Sequence, residues 1–411
     1  MKKFLRNSIA VLVTGLLVSS WHLPRIPYSG NVGHMVPVDT THAFIRYEAN
    51  GLQFYGDRNT WHRKMEKLAQ LVTRGEGQFH IVHMGGSHVQ AGMLTDRLRR
   101  NFSGITYSGA GERGLVFPYK LAGTNSPGSV KVVYTGNWTG KRNAVATDSC
   151  QWGMTGIAAI TTDSIASFKL WTFDHDSINN LFDHVTIFSP FDSTSMQLIV
   201  EGATELPGQH GDTWKTFSFD LPQDTLRVRV MRTDSTQSQF NLQGIYFGID
   251  KPGISYHAIG VNGASTASYL KCRDLEQQFA VLHPDVAIFA IGVNDANTSP
   301  SDFNVGAFEA RYDSLIWRIK AHNPDVALMF ITNNDTWYGK SANANGAVVR
   351  DAMIRLAEKH NAAVFDLYAI MGGKGSIRQW YQAGLAQKDK IHLTRTGYEL
   401  QADLMYNAFV G

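Results

Sequence analysis

The sequence has few cysteines and almost no net charge. Only two of its 411 residues are cysteines, Cys150 and Cys272, which excludes a disulfide framework and a cysteine-rich zinc site. These two thiols could form one bridge or stay free. The 38 lysines and arginines nearly balance the 35 aspartates and glutamates, which gives a formal charge of +3. This balance gives no reason to expect nucleic acid or an anionic membrane surface as the main partner.

Hydrophobic segments long enough to cross a membrane are also missing. The N-terminus has a basic start, Lys2-Lys3, followed by the apolar residues 9–18 and two serines. This order of basic, apolar and small residues predicts a secretory signal peptide over residues 1–21. The apolar run is too short for a membrane-spanning helix, which needs about 20 apolar residues. An uncleaved N-terminal anchor is the alternative, and either one predicts a secreted or periplasmic protein. Residues 22–41 are rich in proline and glycine and predict a linker.

The C-terminal third of the chain alternates strand and helix patterns. Residues 286–291 and 326–331 are uninterrupted apolar runs. Each is followed by an asparagine–aspartate pair, Asn294-Asp295 and Asn334-Asp335. Such runs indicate strands buried on both faces, as in a parallel sheet covered by helices. Residues 79–84 and 89–102 predict a matching strand and helix upstream, so we expect an α/β domain.

Residues 115–250 have a different pattern. Short runs alternate apolar and polar residues, as in residues 226–230, where leucine and valines alternate with arginines. Alternation of this kind predicts strands with one buried and one exposed face, and their even spacing favours an antiparallel β-sandwich. The sequence therefore predicts an α/β domain in two parts, residues 42–114 and 251–411, interrupted by an inserted β-sandwich.

Ser87 stands where a nucleophile could be held. It follows a predicted strand, within Gly85-Gly86-Ser87-His88, and begins a predicted helix. Open α/β sheets bind ligands beyond the carboxyl ends of their strands. The helix N-terminus adds backbone N–H groups and a partial positive charge, which suit a developing oxyanion. Serine is also a common helix cap, so this position alone does not identify a nucleophile.

Four other residues could complete such a site. Asp389 and His392 stand three residues apart, and a carboxylate can fix the tautomer of a histidine that acts as a base. Asn294 follows a predicted buried strand and could donate from its amide. Gly263 could let its backbone N–H approach a ligand closely. Each also has a purely structural interpretation: a surface aspartate, a capping histidine, an Asx turn and a tight turn.

Taken together and in this order, the residues resemble the sequence blocks of the SGNH (GDSL-like) hydrolase superfamily. The resemblance covers residues 79–107 and 256–409. It implies a three-layer, flavodoxin-like α/β domain with a parallel sheet, into which the β-sandwich is inserted.

The resemblance also implies a role for each residue. Ser87 would be the nucleophile, His392 the base that takes its proton, and Asp389 the carboxylate that orients the base. Backbone and side-chain N–H groups of three residues would form the oxyanion hole: Ser87, Gly263 and Asn294. The family usually has an aspartate before the serine, whereas this sequence has Gly86. That aspartate supports the loop through hydrogen bonds and makes no bond to the substrate.

A narrower resemblance concerns the substrate. Ser87-His88, the Gly260-Val261-Asn262-Gly263-Ala264 run and the inserted β domain are similar to the peptidoglycan O-acetylesterases and O-acetyltransferases, whose insert resembles a carbohydrate-binding module. This implies an exported serine esterase, without a cofactor, that removes O-acetyl groups from a carbohydrate such as peptidoglycan. The same triad would serve an O-acetyltransferase if a sugar hydroxyl replaced water. A non-catalytic cell-wall carbohydrate-binding protein is a further alternative.

Histidines and tryptophans near these blocks suggest other roles. His80, His83 and His88 are close in sequence, but His80 and His83 would point to opposite faces of a strand, so no metal site is expected. His88 is predicted to shape the substrate pocket or to cap the helix. Trp138 lies in a glycine-rich stretch, which makes it the tryptophan of the insert best placed to contact sugar. A structural role in the core is the alternative.

Overall fold

The computed structural model describes residues 33–106, 109, 111–174 and 179–411. The predicted signal peptide and most of the predicted linker lie outside these residues. Residues 33–41, at the end of the predicted linker, form neither helix nor strand. Within the described part of the chain, no helix is both long and apolar enough to cross a membrane.

Helices and strands alternate at both ends of the described chain, and strands dominate its middle. The helices are α1 (Asn59–Arg74), α2 (Ser87–Gln90), α3 (Met93–Ser103), α4 (Thr266–Leu270), α5 (Leu275–Val281), α6 (Val293–Ala296), α7 (Val305–His322), α8 (Asn345–His360), α9 (Leu367–Ile370), α10 (Ile377–Gln382) and α11 (Arg395–Val410). The strands are β1 (Leu52–Phe54), β2 (Gln78–Gly85), β3 (Gly114–Val116), β4 (Val130–Thr135), β5 (Thr139–Arg142), β6 (Ile157–Thr161), β7 (Ile165–Thr172), β8 (Phe182–Phe188), β9 (Gln197–Val200), β10 (Thr204–Gly211), β11 (Trp214–Gln223), β12 (Leu226–Met231), β13 (Phe240–Leu242), β14 (Gly244–Gly248), β15 (Gly253–Gly260), β16 (Val286–Ala290), β17 (Ala327–Ile331), β18 (Trp337–Tyr338), β19 (Ser341–Ala342) and β20 (Ala363–Phe365).

A six-stranded sheet with the order β1-β20-β17-β16-β2-β15 forms the centre of the α/β part. Neighbouring strands are parallel except for the edge strand β1, which is antiparallel to β20. The predicted buried strands are confirmed, because every residue of β17 is buried and β16 is buried up to its last residue. Since five strands run in one direction, their carboxyl ends meet at one edge, where ligands bind in such sheets.

Helices cover the central sheet on both faces. The side chains of β2 alternate between two cores, so that Phe79 and Ile81 face one and Val82 and Met84 face the other. Side chains of α1, α3 and α11 fill the first core. The second core contains side chains of α5, α7 and α8 together with those of the antiparallel strands. The antiparallel part therefore packs directly against one face of the α/β part.

Three antiparallel sheets lie between α3 and β15 in the chain. Their strand orders are β10-β11-β8-β14-β3, β4-β7-β12-β9 and β13-β6-β5. The predicted alternation is seen in β12, where Leu226, Val228 and Val230 are buried and Arg227 and Arg229 are exposed. The chain is thus a mixed α/β protein with additional antiparallel sheets. Their arrangement as a β-sandwich, and the limits of the domains, stay predictions.

The single helix predicted over residues 89–102 is wrong, because two helices, α2 and α3, occupy this region. Gly92 separates them in a left-handed conformation with φ of 81°. A Cβ at this position would lie 2.6 Å from the Cβ of Pro127, so a glycine is required there. The break depends on a contact with the loop before β4, which only the folded chain makes.

Candidate active site

A cleft opens at the carboxyl edge of the central sheet. Its volume is about 670 Å³, and its walls come from the turns after β2, β15, β16 and β17 and from the loop before α11. Ser87, Gly263, Asn294 and His392 all line it. The structure therefore brings together residues that are up to 305 positions apart in the sequence.

Ser87 begins α2 immediately after the Gly85-Gly86 turn. The carbonyl of Gly86 accepts hydrogen bonds from the backbone N–H groups two and three residues beyond Ser87, and the buried Tyr269 hydroxyl donates to the carbonyl of Gly85 at 2.7 Å. A Cβ at position 86 would lie 3.0 Å from Nδ2 of Asn294. Glycine at position 86 therefore lets the Asn294 amide pack against the turn. The Tyr269 hydroxyl holds the same turn from its other end, at the carbonyl of Gly85.

His392 joins Ser87 to Asp389 through two short hydrogen bonds. Ser87 Oγ lies 2.7 Å from His392 Nε2, and His392 Nδ1 lies 2.7 Å from Asp389 Oδ2. A carboxylate can only accept hydrogen bonds, so Nδ1 carries the proton and Nε2 is left to accept from the serine hydroxyl. This is the arrangement that lets a histidine take a proton from a serine.

The carboxyl of Asp389 is held ionised by its surroundings. Partial burial acts to raise its pKa, but hydrogen bonds from the His392 ring and from the backbone N–H groups of Ile391 and His392 outweigh this effect. The pKa therefore lies below its ordinary value. The backbone bonds, 2.9 and 3.0 Å long, also fix the carboxylate against its own loop.

The loop from Asp389 to His392 is tied to the turn after β17. Asn334 Nδ2 donates to the carbonyl of Ile391 at 2.9 Å, and the backbone N–H of Trp337 donates to the carbonyl of Lys390 at 3.0 Å. The Lys390 ammonium lies 4.2 Å from the centre of the Trp337 ring, within the range of a cation–π contact. Sequence reasoning did not assign Asn334 a role, although its place after a buried strand was a signal.

Three hydrogen-bond donors surround the space beside the serine. Gly263 has φ of 84°, a conformation that favours glycine. Among the described residues, the backbone N–H groups of Gly263 and Ser87 have no acceptor. Asn294 Nδ2 donates one hydrogen to the carbonyl of Ala264 at 2.8 Å, which leaves its second hydrogen for the cleft. Donors placed in this way could stabilise the oxyanion of an ester undergoing attack.

Gln90 connects the Gly263 turn to the antiparallel part, a link that sequence reasoning missed. Its Oε1 accepts from the backbone N–H of Asn262 at 2.6 Å. Its Nε2 donates to Thr124 Oγ1 at 3.1 Å and to the carbonyl of Asn125 at 2.7 Å. The side chain is buried, and Asn125 lines the cleft. A polar residue one turn into a helix gives no sequence signal of this role.

The two residues predicted to contact substrate, His88 and Trp138, do not line the cleft. The His88 ring stacks on the His392 ring with centroids 5.1 Å apart, and its Nδ1 lies 2.9 Å from the Tyr398 hydroxyl. Burial first, and then the neighbouring His392, lower the pKa of His88 to about 3, so its ring is neutral. Trp138 packs edge-on against Phe168 of the antiparallel sheets. The structure therefore places His88 behind the base and Trp138 away from the site.

The remaining histidines of β2 lie apart. His80 Nδ1 is 3.1 Å from His257 Nε2, whereas His83 Nδ1 is 2.8 Å from the Tyr256 hydroxyl. In the described part of the chain, no group of three or more histidine, cysteine or carboxylate side chains is arranged to hold a metal ion. Both cysteines are free thiols.

Residues 240–400 match the GDSL-like lipase/acylhydrolase family. The match includes Gly263, Asn294, Asp389 and His392. Ser87 lies outside the matched residues, but it meets Gly263, Asn294 and His392 in the cleft. The family match and the hydrogen-bonded chain from Ser87 through His392 to Asp389 support a carboxylic ester hydrolase. A search of curated proteins found no match.

A search of solved structures found several that are similar to this chain. A peptidoglycan O-acetylesterase has 22% sequence identity and a TM-score of 0.70, covering 87% of this chain and 97% of the other. A lipase/acylhydrolase from Enterococcus faecalis has 20% identity and a TM-score of 0.31, covering 38% of this chain and 74% of its own. An acetylxylan esterase from Geobacillus stearothermophilus has 21% identity and a TM-score of 0.32, covering 38% of this chain and 73% of its own. The first match extends over both the α/β part and the antiparallel sheets.

Proposed function

We propose that the protein is an exported serine esterase that removes O-acetyl groups from a carbohydrate through an acyl-enzyme. The observation that carries the proposal is the chain of two 2.7 Å hydrogen bonds from Ser87 through His392 to Asp389. This chain ends in a cleft that also holds the Asn294 amide. A nucleophile, a base and oxyanion donors in one cleft are the parts that acyl transfer requires.

The acylation half of the reaction uses these groups in turn. Ser87 Oγ attacks the carbonyl carbon of the acetyl ester while His392 Nε2 takes the hydroxyl proton. The carbonyl oxygen becomes an oxyanion and accepts hydrogen bonds from the N–H groups of Ser87 and Gly263 and from the Asn294 amide. Breakage of the ester C–O bond leaves acetyl-Ser87, and His392 returns its proton to the departing sugar oxygen.

Deacylation repeats this chemistry with water. His392 Nε2 takes a proton from a water molecule that attacks the acetyl carbon. The second tetrahedral intermediate then releases acetate, and His392 gives the proton back to Ser87 Oγ. Asp389 stays ionised throughout and stabilises the imidazolium form of the ring, which agrees with its lowered pKa.

Peptidoglycan is the carbohydrate that we favour. The solved structure with a TM-score of 0.70 is that of a peptidoglycan O-acetylesterase, and the likeness includes nearly all of its chain. Loop residues Asn125 and Ser126, next to the antiparallel sheets, line the cleft beside the triad. An inserted part that reaches the catalytic cleft suits a polymer better than a small ester. Export by the predicted signal peptide would bring the protein to such a polymer, in the periplasm or outside the cell.

The activity can be tested with 4-nitrophenyl acetate. We expect hydrolysis by the purified protein and a loss of about 10³-fold or more in kcat for Ser87→Ala and His392→Ala, because triad members act as a unit. Ser193→Ala and His322→Ala are matched controls, since both residues are exposed, and both should keep full activity. Activity that survives in Ser87→Ala would refute the proposal.

The substrate and the acceptor need a second assay. Acetate released from O-acetylated peptidoglycan should exceed that from acetylated xylan at equal ester concentration. Adding an unacetylated glycan acceptor separates hydrolysis from transfer, because a transferase would form acetylated acceptor faster than free acetate. We expect free acetate as the main product. Acetate release by Ser87→Ala equal to that of the parent would show that another group does the chemistry.

A further inference from the structure

A second cavity, of about 820 Å³, adjoins the catalytic cleft. Ala91, Met93 and Ser126 line both, so the two spaces lie side by side. The second cavity extends from there along α3 toward Arg100 and is closed on its other side by Gly128, Ser129 and the end of β7. A ligand bound at Ser87 could therefore continue into this space.

The charged groups that line the second cavity do not balance. Its two carboxylates are already engaged. Asp96 pairs with Arg99 Nη1 at 2.9 Å, and Asp174 accepts from the Asn180 amide at 3.0 Å. Arg99 also donates to the carbonyl of Tyr256 at 2.7 Å. Asp96 therefore has a charged partner within the protein, whereas Asp174 has a neutral amide.

Two other arginines of the cavity are not satisfied in this way. Among the described residues, Arg100 has neither a hydrogen-bond acceptor for its side chain nor an ion-pair partner, although its Nε is buried. Arg395 is 71% exposed, and its ion-pair partner within the described chain is Glu399, four residues along the same helix, at 3.7 Å. An exposed pair of this kind contributes little, because solvent screens it. Both guanidinium groups are therefore available to an outside anion.

A third guanidinium adds positive charge behind the cavity wall. Arg113 is buried, and its side chain donates a hydrogen bond of 3.5 Å to Ser129 Oγ, a residue of the wall. No carboxylate of the described chain forms an ion pair with it. Burial first, and then Arg99, lower the pKa of Arg113 to about 10, so it stays charged at neutral pH. The carboxylates of Asp96 and Asp174 act on this guanidinium without forming an ion pair with it, so an anion bound in the cavity would also be attracted to it.

We propose that this cavity is a subsite for a carboxylate of the acetylated glycan, held by Arg100 and Arg395. The inference rests on the proposed function and narrows it to glycans that carry carboxylates, such as the peptide stems of peptidoglycan. Arg100 is seven residues beyond Met93 on α3, or about 10 Å at 1.5 Å per residue. A carboxylate there would bind beyond Met93, which lines both the catalytic cleft and the second cavity. Arginine suits this role because its planar fork matches the two carboxylate oxygens.

The experiment compares one acetylated substrate in two charge states. The probes are an O-acetylated disaccharide–tetrapeptide with free carboxylates and the same molecule with its carboxylates converted to carboxamides. We expect kcat/KM to be about tenfold higher for the free carboxylate, and Arg100→Gln to remove most of that preference by raising KM. Arg100→Lys should restore part of it. Hydrolysis of 4-nitrophenyl acetate, which carries no carboxylate, should stay unchanged in both variants.

Two controls keep the test decisive. Arg74→Gln removes one positive charge from an exposed residue just before β2, at the opposite edge of the sheet. This variant should keep the parent kcat/KM for both probes. If Arg100→Gln fails to fold, Arg395→Gln replaces it, because this exposed side chain can be changed without disturbing the core. Equal kcat/KM for the two probes in the parent protein would overturn the subsite, as would an equal loss for both in Arg100→Gln.

Failure of the proposed function gives a different result. Calorimetry can measure how tightly Ser87→Ala binds each of the two probes, and this measurement does not require catalysis. If Ser87→Ala binds the free carboxylate probe more tightly than the carboxamide probe, and Ser87→Ala/Arg100→Gln does not, the subsite is supported. This holds even if the parent protein hydrolyses neither probe. Equal binding of both probes refutes the subsite whatever the enzyme hydrolyses.

Discussion

Gln90 offers a test of how the antiparallel part controls the catalytic site. Its side chain holds the backbone N–H of Asn262, next to Gly263, and at the same time the loop of Thr124 and Asn125. Gln90→Met keeps the length of the side chain but removes all three hydrogen bonds. Gln90→Glu keeps an acceptor for Asn262 and removes the donor to Asn125. The two variants therefore separate support of the Gly263 turn from attachment to the antiparallel part.

The size of the effect follows from burial. Gln90 is 1% exposed, whereas Asn262 is half-buried and Asn125 is exposed, so water can replace part of what is lost. We expect Gln90→Met to lower the free energy of unfolding by about 1–3 kcal/mol, the cost of leaving a buried hydrogen-bonding group unpaired. Complete loss of an oxyanion donor costs about 10²–10³ in kcat, so a loosened Gly263 turn should cost about 10- to 100-fold.

The assay is 4-nitrophenyl acetate hydrolysis together with urea unfolding. Gln90→Met should lose kcat with little change in KM, because the missing interaction forms with the transition state. Gln90→Glu should keep kcat within a few-fold of the parent value. If both variants lose kcat equally, the link to the antiparallel part matters more than the Asn262 bond, and the role of that bond in supporting the Gly263 turn is refuted. Full activity in Gln90→Met would refute it as well.

Three further predictions concern single residues. Asp389→Asn should lower kcat by about 100-fold or more while leaving the urea midpoint within error, since the aspartate is 42% exposed, and a loss under threefold would exclude its role. Gly263→Ala should cost about 1–2 kcal/mol of stability and lower kcat, because alanine disfavours a φ of 84°, and urea unfolding with ester kinetics would check both. Burial above all lowers the pKa of His80 from 6.5 to about 4. The unfolded state then binds more protons than the folded state between these pH values, so the free energy of unfolding should fall as the pH drops through this window, by up to about 3 kcal/mol. His80→Gln should make this fall shallower in urea titrations at pH 7.5 and 5, and an unchanged slope would contradict the assignment.

The parts of the fold that sequence predicted correctly are those set by local patterns. Three of the six strands of the central sheet, β2, β16 and β17, could be read from their apolar runs, and β12 from its alternation, because burial on one or two faces leaves a direct trace in the sequence. The Asp389–His392 pair was likewise readable, since both residues belong to one short loop. The break in the helix at Gly92 was not, because the close approach of Pro127, which requires glycine at this position, exists only in the folded chain.

The two asparagine–aspartate pairs show why local patterns leave function undecided. Asn294 and Asn334 both follow buried strands and both precede an aspartate, so the hydrophobic pattern alone does not distinguish them. Strand β16 lies next to β2, so the Asn294 amide lies against the Ser87 turn. Strand β17 lies one position further away, so the Asn334 amide instead holds the Ile391 carbonyl beside the base. The order of strands in the sheet thus makes one asparagine a candidate oxyanion donor and the other a positioning residue. Asn334→Ala should therefore disturb the His392 loop without removing a donor from the oxyanion site.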